Sequence, residues 1–327
     1  MCTAISYRSG DHYFGRTLDL EYTYEESVTV TPRNFPFFYR ADAPQKHHYA
    51  IIGIATIMDG YPLYYDAVNE HGLCMAGLNF TTDAVYHPHK EGVRNLTPYE
   101  LIPWILSNCK TVTEAREKLK RIQLLNFPFR EGIPLAKLHW MLADSRESII
   151  AEPMADGLHL YDDPVGVLTN HPAFPCQMEH LTLYRNLSPK EEPCRFSDTV
   201  CFRASSRGMG AIGLPGDLSS TSRFVRAAFT VLNAKKFNDN TESVSQCFHI
   251  LRSVEQTEGC VRLEHGAVRS QYTACINATQ GVYYYQTYRS HGVQAVSLRK
   301  EDLDGDTLSS YPLTAVPLPS PVNESGF

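Results

Sequence analysis

Short apolar runs separated by turn residues dominate the first third of the 327-residue chain. Runs of about four to eight β-branched, aromatic or alternating apolar residues bounded by turn residues are typical of strands. This pattern predicts strands in the first third at residues 2–7, 13–16, 27–31, 49–58 and 73–80. The last two are almost continuously apolar, as expected of strands that are buried on both faces.

Helical patterns follow, and they come in pairs. Thr97 and Glu100 have the spacing of a capping box, as do Thr111 and Glu114, and we predict helices at residues 101–108 and 115–124. Amphipathic patterns predict two further helices, at 222–235 and 242–254. The remaining strands are predicted at 139–143, 148–152, 158–161, 165–169, 272–277, 282–288 and 294–298. Runs of strands between pairs of helices indicate an α+β protein, with mostly antiparallel sheets and helices on their outer faces.

The domain organisation predicted by the sequence is simple. No linker interrupts the chain before about residue 305, so we predict a single domain over residues 1–305. Residues 306–327 include a proline-rich stretch and are predicted to be a loosely held C-terminal extension.

Charge and apolar content exclude several classes of partner. Lys and Arg number 30 against 36 Asp and Glu, a net charge of −6, which gives no basic surface for nucleic acid. No apolar run approaches the roughly 18 residues of a spanning helix. The N-terminal residues lack the pattern of a signal peptide, and the nine cysteines are odd in number. We therefore expect a cytoplasmic protein with free thiols and with neither a nucleic-acid nor a membrane partner.

Familiar cofactor and metal motifs are absent or incomplete. Residues 208–213 match G-x-G-x-x-G, but the Leu-Pro-Gly-Asp that follows breaks any helix, so we interpret them as a glycine-rich turn. The pairs His47/His48 and His87/His89 lack a second ligand cluster at a recognised spacing, and loop histidines are the simpler interpretation. We therefore expect no cofactor and no metal.

Cys2 is the remaining candidate for chemistry. Removal of Met1 would leave a cysteine with a free α-amine, whose ordinary pKa of about 7.7–8.0 lets it accept a proton near neutral pH. A single residue would then carry both nucleophile and base, and a nearby Arg would favour the thiolate. Position alone does not decide between this role and an incidental second-position cysteine.

Six segments give the chain a resemblance to the choloylglycine hydrolase family, which includes bile salt hydrolases and penicillin V acylases. They lie between Met1 and about Leu298, at residues 1–4, 14–19, 69–72, 76–80, 167–172 and 213–228. The last, Gly-Leu-Pro-Gly-Asp-Leu-Ser-Ser-Thr-Ser-Arg-Phe-Val-Arg-Ala-Ala, is long and specific. The resemblance implies a four-layer αββα sandwich of the N-terminal-nucleophile kind, an amide hydrolase without cofactor, and a homotetramer.

The resemblance also implies a role for each matching residue. Cys2 is the expected nucleophile, Arg16 the cation beside its sulfur, and Asp19 the group that orients the α-amine. Asn79, through its backbone N–H, and Asn170, through its side-chain amide, are the expected oxyanion donors. Arg223 is the expected second catalytic arginine. The residues alone leave alternatives open. Arg16 could form a surface ion pair, and Asp19 and the two asparagines could be turn residues. Arg223 could be a charge on a helix surface.

The expected substrates are glycine- or taurine-conjugated bile salts. Asn79 resembles the bile salt branch, where penicillin V acylases typically carry Tyr, and the run from Asp217 to Arg223 favours the same branch. A steroid requires a broad apolar pocket. Candidate wall residues, each of which plain core packing could also explain, are Leu18, Met58, Phe129, Ile133 and Leu135. The alternatives are a penicillin V acylase, an N-acyl homoserine lactone acylase, and an inactive small-molecule-binding relative; acyl transfer to amino acids is a natural side activity.

Overall fold

The computed structural model describes residues 1–264 and 266–314. Its elements are bounded as follows. The strands are β1 (Cys2–Ser9), β2 (Asp11–Leu20), β3 (Ser27–Thr31), β4 (Ile51–Met58), β5 (Tyr61–Asn69), β6 (Cys74–Asn79), β7 (Arg94–Leu96), β8 (Ile122–Leu124), β9 (Leu138–Ala143), β10 (Ser148–Met154), β11 (Gly157–Asp162), β12 (Val167–Leu168), β13 (Arg262–Leu263), β14 (Gly266–Ala267), β15 (Arg269–Asn277), β16 (Val282–Thr287), β17 (Ser290–Ser297) and β18 (Ser309–Pro312). The α-helices are α1 (Leu101–Asn108), α2 (Val112–Leu119), α3 (Phe174–Leu181), α4 (Ser220–Asn233) and α5 (Asn240–Arg252).

Two antiparallel sheets form the centre of the molecule. One has six strands in the order β12-β1-β2-β15-β16-β17, and the other has eight in the order β11-β10-β9-β6-β5-β4-β3-β18. Apolar residues of both sheets share one buried cluster, which includes Ile52 and Ile54 of β4 together with Cys2 and Ala4 of β1. The two sheets therefore pack face to face.

Helices cover the outer face of each sheet. The helices α4 and α5 lie against β1, β2 and β15, whereas α1 lies against β5 and β6. A second buried cluster joins α1 and α2 to the outer face of the eight-stranded sheet, with Trp140 of β9 at 0% exposure. The layers are thus helix, sheet, sheet, helix, and the predicted four-layer α+β sandwich is confirmed.

Most predicted elements are present, with three notable differences. Helix α1 has the predicted bounds, but α2 ends at Leu119 and residues 122–124 form β8, which pairs in parallel with β7. The prediction of helix to residue 124 is therefore wrong. Strand β5 and helix α3 had no counterpart in the pattern, because Pro62 and Asp66 interrupt the apolar run of β5 and Pro175 begins a short helix. Residues 208–213 form a turn, as predicted, and it contains a short 3₁₀ helix at Met209–Ala211.

The beginning of the C-terminal segment is paired in the sheet. Strand β18 (Ser309–Pro312) pairs antiparallel with β3 and forms an edge of the eight-stranded sheet. Residues 309–312 therefore depart from the loosely held extension that was predicted from residue 306. Residues 315–327 of that prediction lie outside the described residues.

Candidate active site

Cys2 begins β1, at the edge of the space between the two sheets. The β1–β2 pairing places Cys2 opposite Leu18 and Ala4 opposite Arg16, so these four side chains share the inner face of the sheet. Cys2 is only 2% exposed. Met1 extends the same ladder, because its ammonium group donates to the Asp19 carbonyl at 2.6 Å and its carbonyl accepts from the Asp19 N–H at 2.9 Å. Loss of Met1 would therefore convert the Cys2 nitrogen from an amide into an α-amine and expose this residue to solvent.

Asn170 and Arg223 hold the backbone of Cys2. The Cys2 N–H donates to Oδ1 of Asn170 at 2.9 Å, and Nη2 of Arg223 donates to the same oxygen at 2.8 Å. Nη1 of Arg223 donates to the Cys2 carbonyl at 2.6 Å and to the Thr3 hydroxyl at 2.7 Å. Arg223 is fully buried, and that burial lowers its pKa. This arginine lies in the first turns of α4, so the helix packing sets the position of Cys2.

Asn170 also links Cys2 to the second sheet. Its Nδ2 donates to the backbone carbonyl of Asn79 at 2.8 Å. Asn79 is the last residue of β6, and Asn170 follows β12 of the other sheet. Gln177 of α3 donates to the Asn170 carbonyl at 3.2 Å, and the Ser220 hydroxyl accepts from the Asn170 N–H at 2.9 Å. The two asparagines expected at an oxyanion hole thus lie together, beside Cys2.

Arg16 is buried beneath the same edge. Its Nη1 donates to the carbonyls of Tyr65 at 3.0 Å and Gly77 at 3.1 Å, both in the opposite sheet. Burial disfavours its charge, but attraction by Tyr272, Cys2 and Asp66 outweighs burial and raises the pKa of Arg16 above its ordinary value. A charged guanidinium therefore lies on the face of the sheet that carries the Cys2 sulfur.

Asp19 meets the chain terminus through its backbone rather than through its carboxylate. The carboxylate accepts from the Ser270 hydroxyl at 2.6 Å and from the Thr17 hydroxyl at 3.1 Å. In the chain with Met1 attached, the group on the Cys2 nitrogen is Asn170. The expected role of Asp19 as the group that orients the α-amine stays a prediction for the chain that begins at Cys2.

The predicted pocket residues are divided between two clusters. Leu18 is buried in the same cluster as Cys2. Phe129 and Leu135 pack instead against the cluster between the eight-stranded sheet and α1. Met58 at the end of β4 and Ile133 in the loop before β9 are partly exposed. The neighbouring Arg130 joins this loop to the β4–β5 hairpin through an ion pair with Asp59 at 3.2 Å.

Several residues of the site escaped the sequence analysis. The Thr3 hydroxyl accepts from Arg223, and the Ser270 hydroxyl donates to Asp19. Asp66 forms an ion pair with Arg16, Nε to Oδ2 at 3.8 Å, and accepts hydrogen bonds from Tyr272 and Tyr283. An acidic residue within the otherwise mainly apolar and aromatic stretch of β5 was the available signal, but Pro62 obscured the strand.

The arrangement suits nucleophilic chemistry on a carbonyl. A buried thiol lies near one guanidinium, and a second guanidinium and an amide hold its backbone. Among residues 1–264 and 266–314, no group of three or more His, Cys, Asp and Glu side chains has the geometry to hold a metal ion. Over the same residues, no helix is both long and apolar enough to cross a bilayer.

Comparisons with known proteins agree with this geometry. The model of the family described as linear amide C–N hydrolases, choloylglycine hydrolase family, matches residues 2–311. The chain is 49% identical to a bile salt hydrolase/transferase of Lactiplantibacillus plantarum, over 96% of this chain and 97% of that protein. A crystal structure of a C2A variant of conjugated bile acid hydrolase from Clostridium perfringens superposes with a TM-score of 0.91 at 34% identity, covering 99% of this chain and 100% of that chain.

A penicillin V acylase from Agrobacterium tumefaciens shares the fold, with a TM-score of 0.75 at 20% identity over 96% of this chain and 92% of that chain. The residues matched by the family model include Cys2, Arg16, Asn170 and Arg223. The relative with 49% identity matches 96% of the chain. The chain therefore belongs to the choloylglycine hydrolase family and is an amide C–N hydrolase.

Proposed function

We propose that the protein hydrolyses the amide bond of glycine- and taurine-conjugated bile salts, with Cys2 as the nucleophile once Met1 is removed. The observation that carries the proposal is the set of contacts around Cys2, in which Asn170 and Arg223 hold its backbone and Arg16 lies on its side-chain face. The 49% identity to a protein named bile salt hydrolase/transferase supports the choice of substrate.

The reaction begins when the Cys2 α-amine takes the proton of the thiol and the sulfur attacks the amide carbonyl carbon. The carbonyl oxygen becomes an oxyanion, which accepts hydrogen bonds from the Asn79 N–H and from the second hydrogen on Nδ2 of Asn170. Preorganised donors of this kind each contribute about 3–4 kcal/mol to the barrier reduction. The tetrahedral intermediate then expels glycine or taurine, whose nitrogen takes a proton from the Cys2 amine, and a thioester remains.

Water completes the cycle. The Cys2 amine takes a proton from water, which attacks the thioester carbonyl and releases the bile acid and the thiolate. Arg16 stabilises that thiolate, and Asp19 orients the amine. An amino acid could replace water at this step, which would transfer the acyl group to a new amine. The L. plantarum relative is named bile salt hydrolase/transferase, and the term transferase supports this side activity.

A penicillin V acylase is the second candidate function, and an N-acyl homoserine lactone acylase would use the same chemistry. The shared fold of the A. tumefaciens acylase is compatible with either. We favour bile salts because position 79 carries Asn and because the relative with 49% identity is named for that substrate.

The experiment compares three substrates and three proteins. Purified protein with confirmed loss of Met1 is incubated with glycocholate, taurocholate and penicillin V, and the released amines and acids are quantified. Cys2→Ser should abolish release, whereas the matched control Cys176→Ser, at an exposed position of α3, should not. Release from penicillin V alone would refute the bile salt assignment and keep Cys2 as nucleophile. A Cys2→Ser variant with full activity would refute the mechanism.

We also propose that the protein forms a homotetramer. The long segment between α3 and α4 carries exposed large apolar side chains, and Phe196 is 77% and Ile212 69% exposed. The ring of Phe196 lies 5.1 Å from that of Phe202, which is also exposed, and adjoining exposed apolar side chains are typical of an interface between subunits. Sedimentation analysis should give four times the 36.9 kDa chain mass; replacing Phe196 and Ile212 by Ser should lower that mass, and a monomeric wild-type protein would refute the proposal.

A further inference from the structure

Asp66 is a fully buried carboxylate at the centre of the contact between the two sheets. It lies in β5 and is 1% exposed. The Tyr272 hydroxyl donates to its Oδ2 at 2.7 Å, and the Tyr283 hydroxyl donates to its Oδ1. Both tyrosines belong to the other sheet, in β15 and β16. Burial raises the pKa of Asp66, and Arg16 together with the two hydroxyls opposes that rise.

Two of the three guanidinium nitrogens of Arg16 have partners. Nη1 donates to two carbonyls of the opposite sheet, and Nε donates to the Thr17 carbonyl at 3.3 Å and lies 3.8 Å from the Asp66 carboxylate. Within the described part of the chain, the buried Nη2 has no hydrogen-bond partner. A buried donor without a partner is costly, and at a reactive site it is available to a group that appears during the reaction.

We propose that Asp66, anchored by Tyr272 and Tyr283, is a positioning residue that fixes Arg16 so that Nη2 remains available to the Cys2 thiolate. This inference rests on the proposed function of Cys2 as nucleophile. Asp66 is the carboxylate that forms an ion pair with Arg16, and it balances the buried charge when Cys2 is a neutral thiol. Removal of Asp66 would leave the guanidinium charge buried and uncompensated, and this cost would favour displacement of Arg16.

A purely structural role for Asp66 is the alternative, because the same contacts join the two sheets. The two roles differ in their dependence on Arg16. A structural bridge affects stability, whatever residue occupies position 16. A positioning residue affects the reactivity of Cys2 only while Arg16 is present, so the two substitutions are non-additive.

The experiment is a double-mutant cycle with Asp66→Asn and Arg16→Met. Alkylation of Cys2 by iodoacetamide is followed by mass spectrometry against pH, together with kcat and KM for glycocholate. We expect Asp66→Asn to lower kcat about 10- to 100-fold, as a misplacement of about 1 Å does, with KM unchanged. The midpoint of Cys2 alkylation should move to higher pH, towards that of Arg16→Met. In the Arg16→Met background, Asp66→Asn should change the alkylation rate by less than about twofold.

Milder variants keep the test decisive if Asp66→Asn does not fold. Tyr272→Phe and Tyr283→Phe each remove one hydrogen bond to Asp66 and should slow Cys2 alkylation near neutral pH. The matched control is Tyr13→Phe, a buried tyrosine of β2 whose hydroxyl donates to Asn240 at 3.1 Å, and it should have no effect. Equal effects of all three, or an additive double-mutant cycle, would overturn the proposal. Because alkylation needs no substrate, an enzyme inactive on bile salts with the expected alkylation pattern would contradict only the substrate assignment.

Discussion

Replacement of Asn170 separates the structural and chemical functions of one side chain. Asn170→Ala removes three hydrogen bonds, those with Cys2 N, Arg223 Nη2 and the Asn79 carbonyl. Neutral bonds contribute about 1 kcal/mol each and a bond to a charged donor about 2 kcal/mol. We therefore expect the free energy of unfolding to fall by about 3 to 4 kcal/mol.

Asn170→Asp is the matched variant. The oxygen at the Oδ1 position still accepts from the Cys2 nitrogen and, being charged, binds Arg223 more strongly. The second oxygen replaces the Nδ2 donor and repels the Asn79 carbonyl. Gain and loss should nearly cancel, leaving stability within about 1 kcal/mol of the wild type. Catalysis should fall about 10²- to 10³-fold in both variants, because both lack the oxyanion donor.

Stability is measured by urea denaturation followed by tryptophan fluorescence, since Trp104 and Trp140 are both buried. Activity is measured as kcat for glycocholate at a temperature where both variants are folded. If Asn170→Asp lost as much stability as Asn170→Ala, or if either variant kept kcat within about threefold of the wild type, the assignment of two functions to this amide would be refuted.

Three further predictions concern pH, packing and processing. Burial raises the pKa of Asp163 from 3.8 to about 7. Between these pH values the folded state binds a proton that the unfolded state has lost, so stability falls as pH rises. In urea denaturation, Asp163→Asn should therefore equal the wild type below pH 4 and be more stable above pH 7, by up to about 4 kcal/mol. A Cβ on Gly53 would lie 2.1 Å from the Asp66 carbonyl, so Gly53→Ala should lose at least about 3 kcal/mol in urea denaturation, whereas Gly216→Ala, at an open position, should be neutral. In protein that retains Met1, Cys2 should react slowly with iodoacetamide and no substrate should be hydrolysed, because the Cys2 nitrogen is then an amide and cannot act as a base. Turnover by protein shown by mass spectrometry to carry Met1 would contradict this prediction.

Local patterns predicted many of the elements but not their exact ends. The Thr97–Glu100 capping box is present, and α1 has the predicted bounds, because capping depends on residues three apart. Helix α2 has its predicted cap at Thr111 but ends early, because residues 122–124 find a parallel partner in β7. A distant strand decided that ending, and no pattern within the helix indicated it.

The sequence by itself determined the alternation of strands and helices, the family, and the candidates Cys2, Arg16, Asn79, Asn170 and Arg223, because these depend on residue type, order and spacing along the chain. Only the tertiary structure decided which groups meet. The pairing of Cys2 with Asn170 and Arg223 joins residues 168 and 221 positions apart, and Asp66 reaches Tyr272 across 206 positions. Such contacts depend on how two sheets and a helix pack, and that packing is set by the whole core rather than by any local pattern.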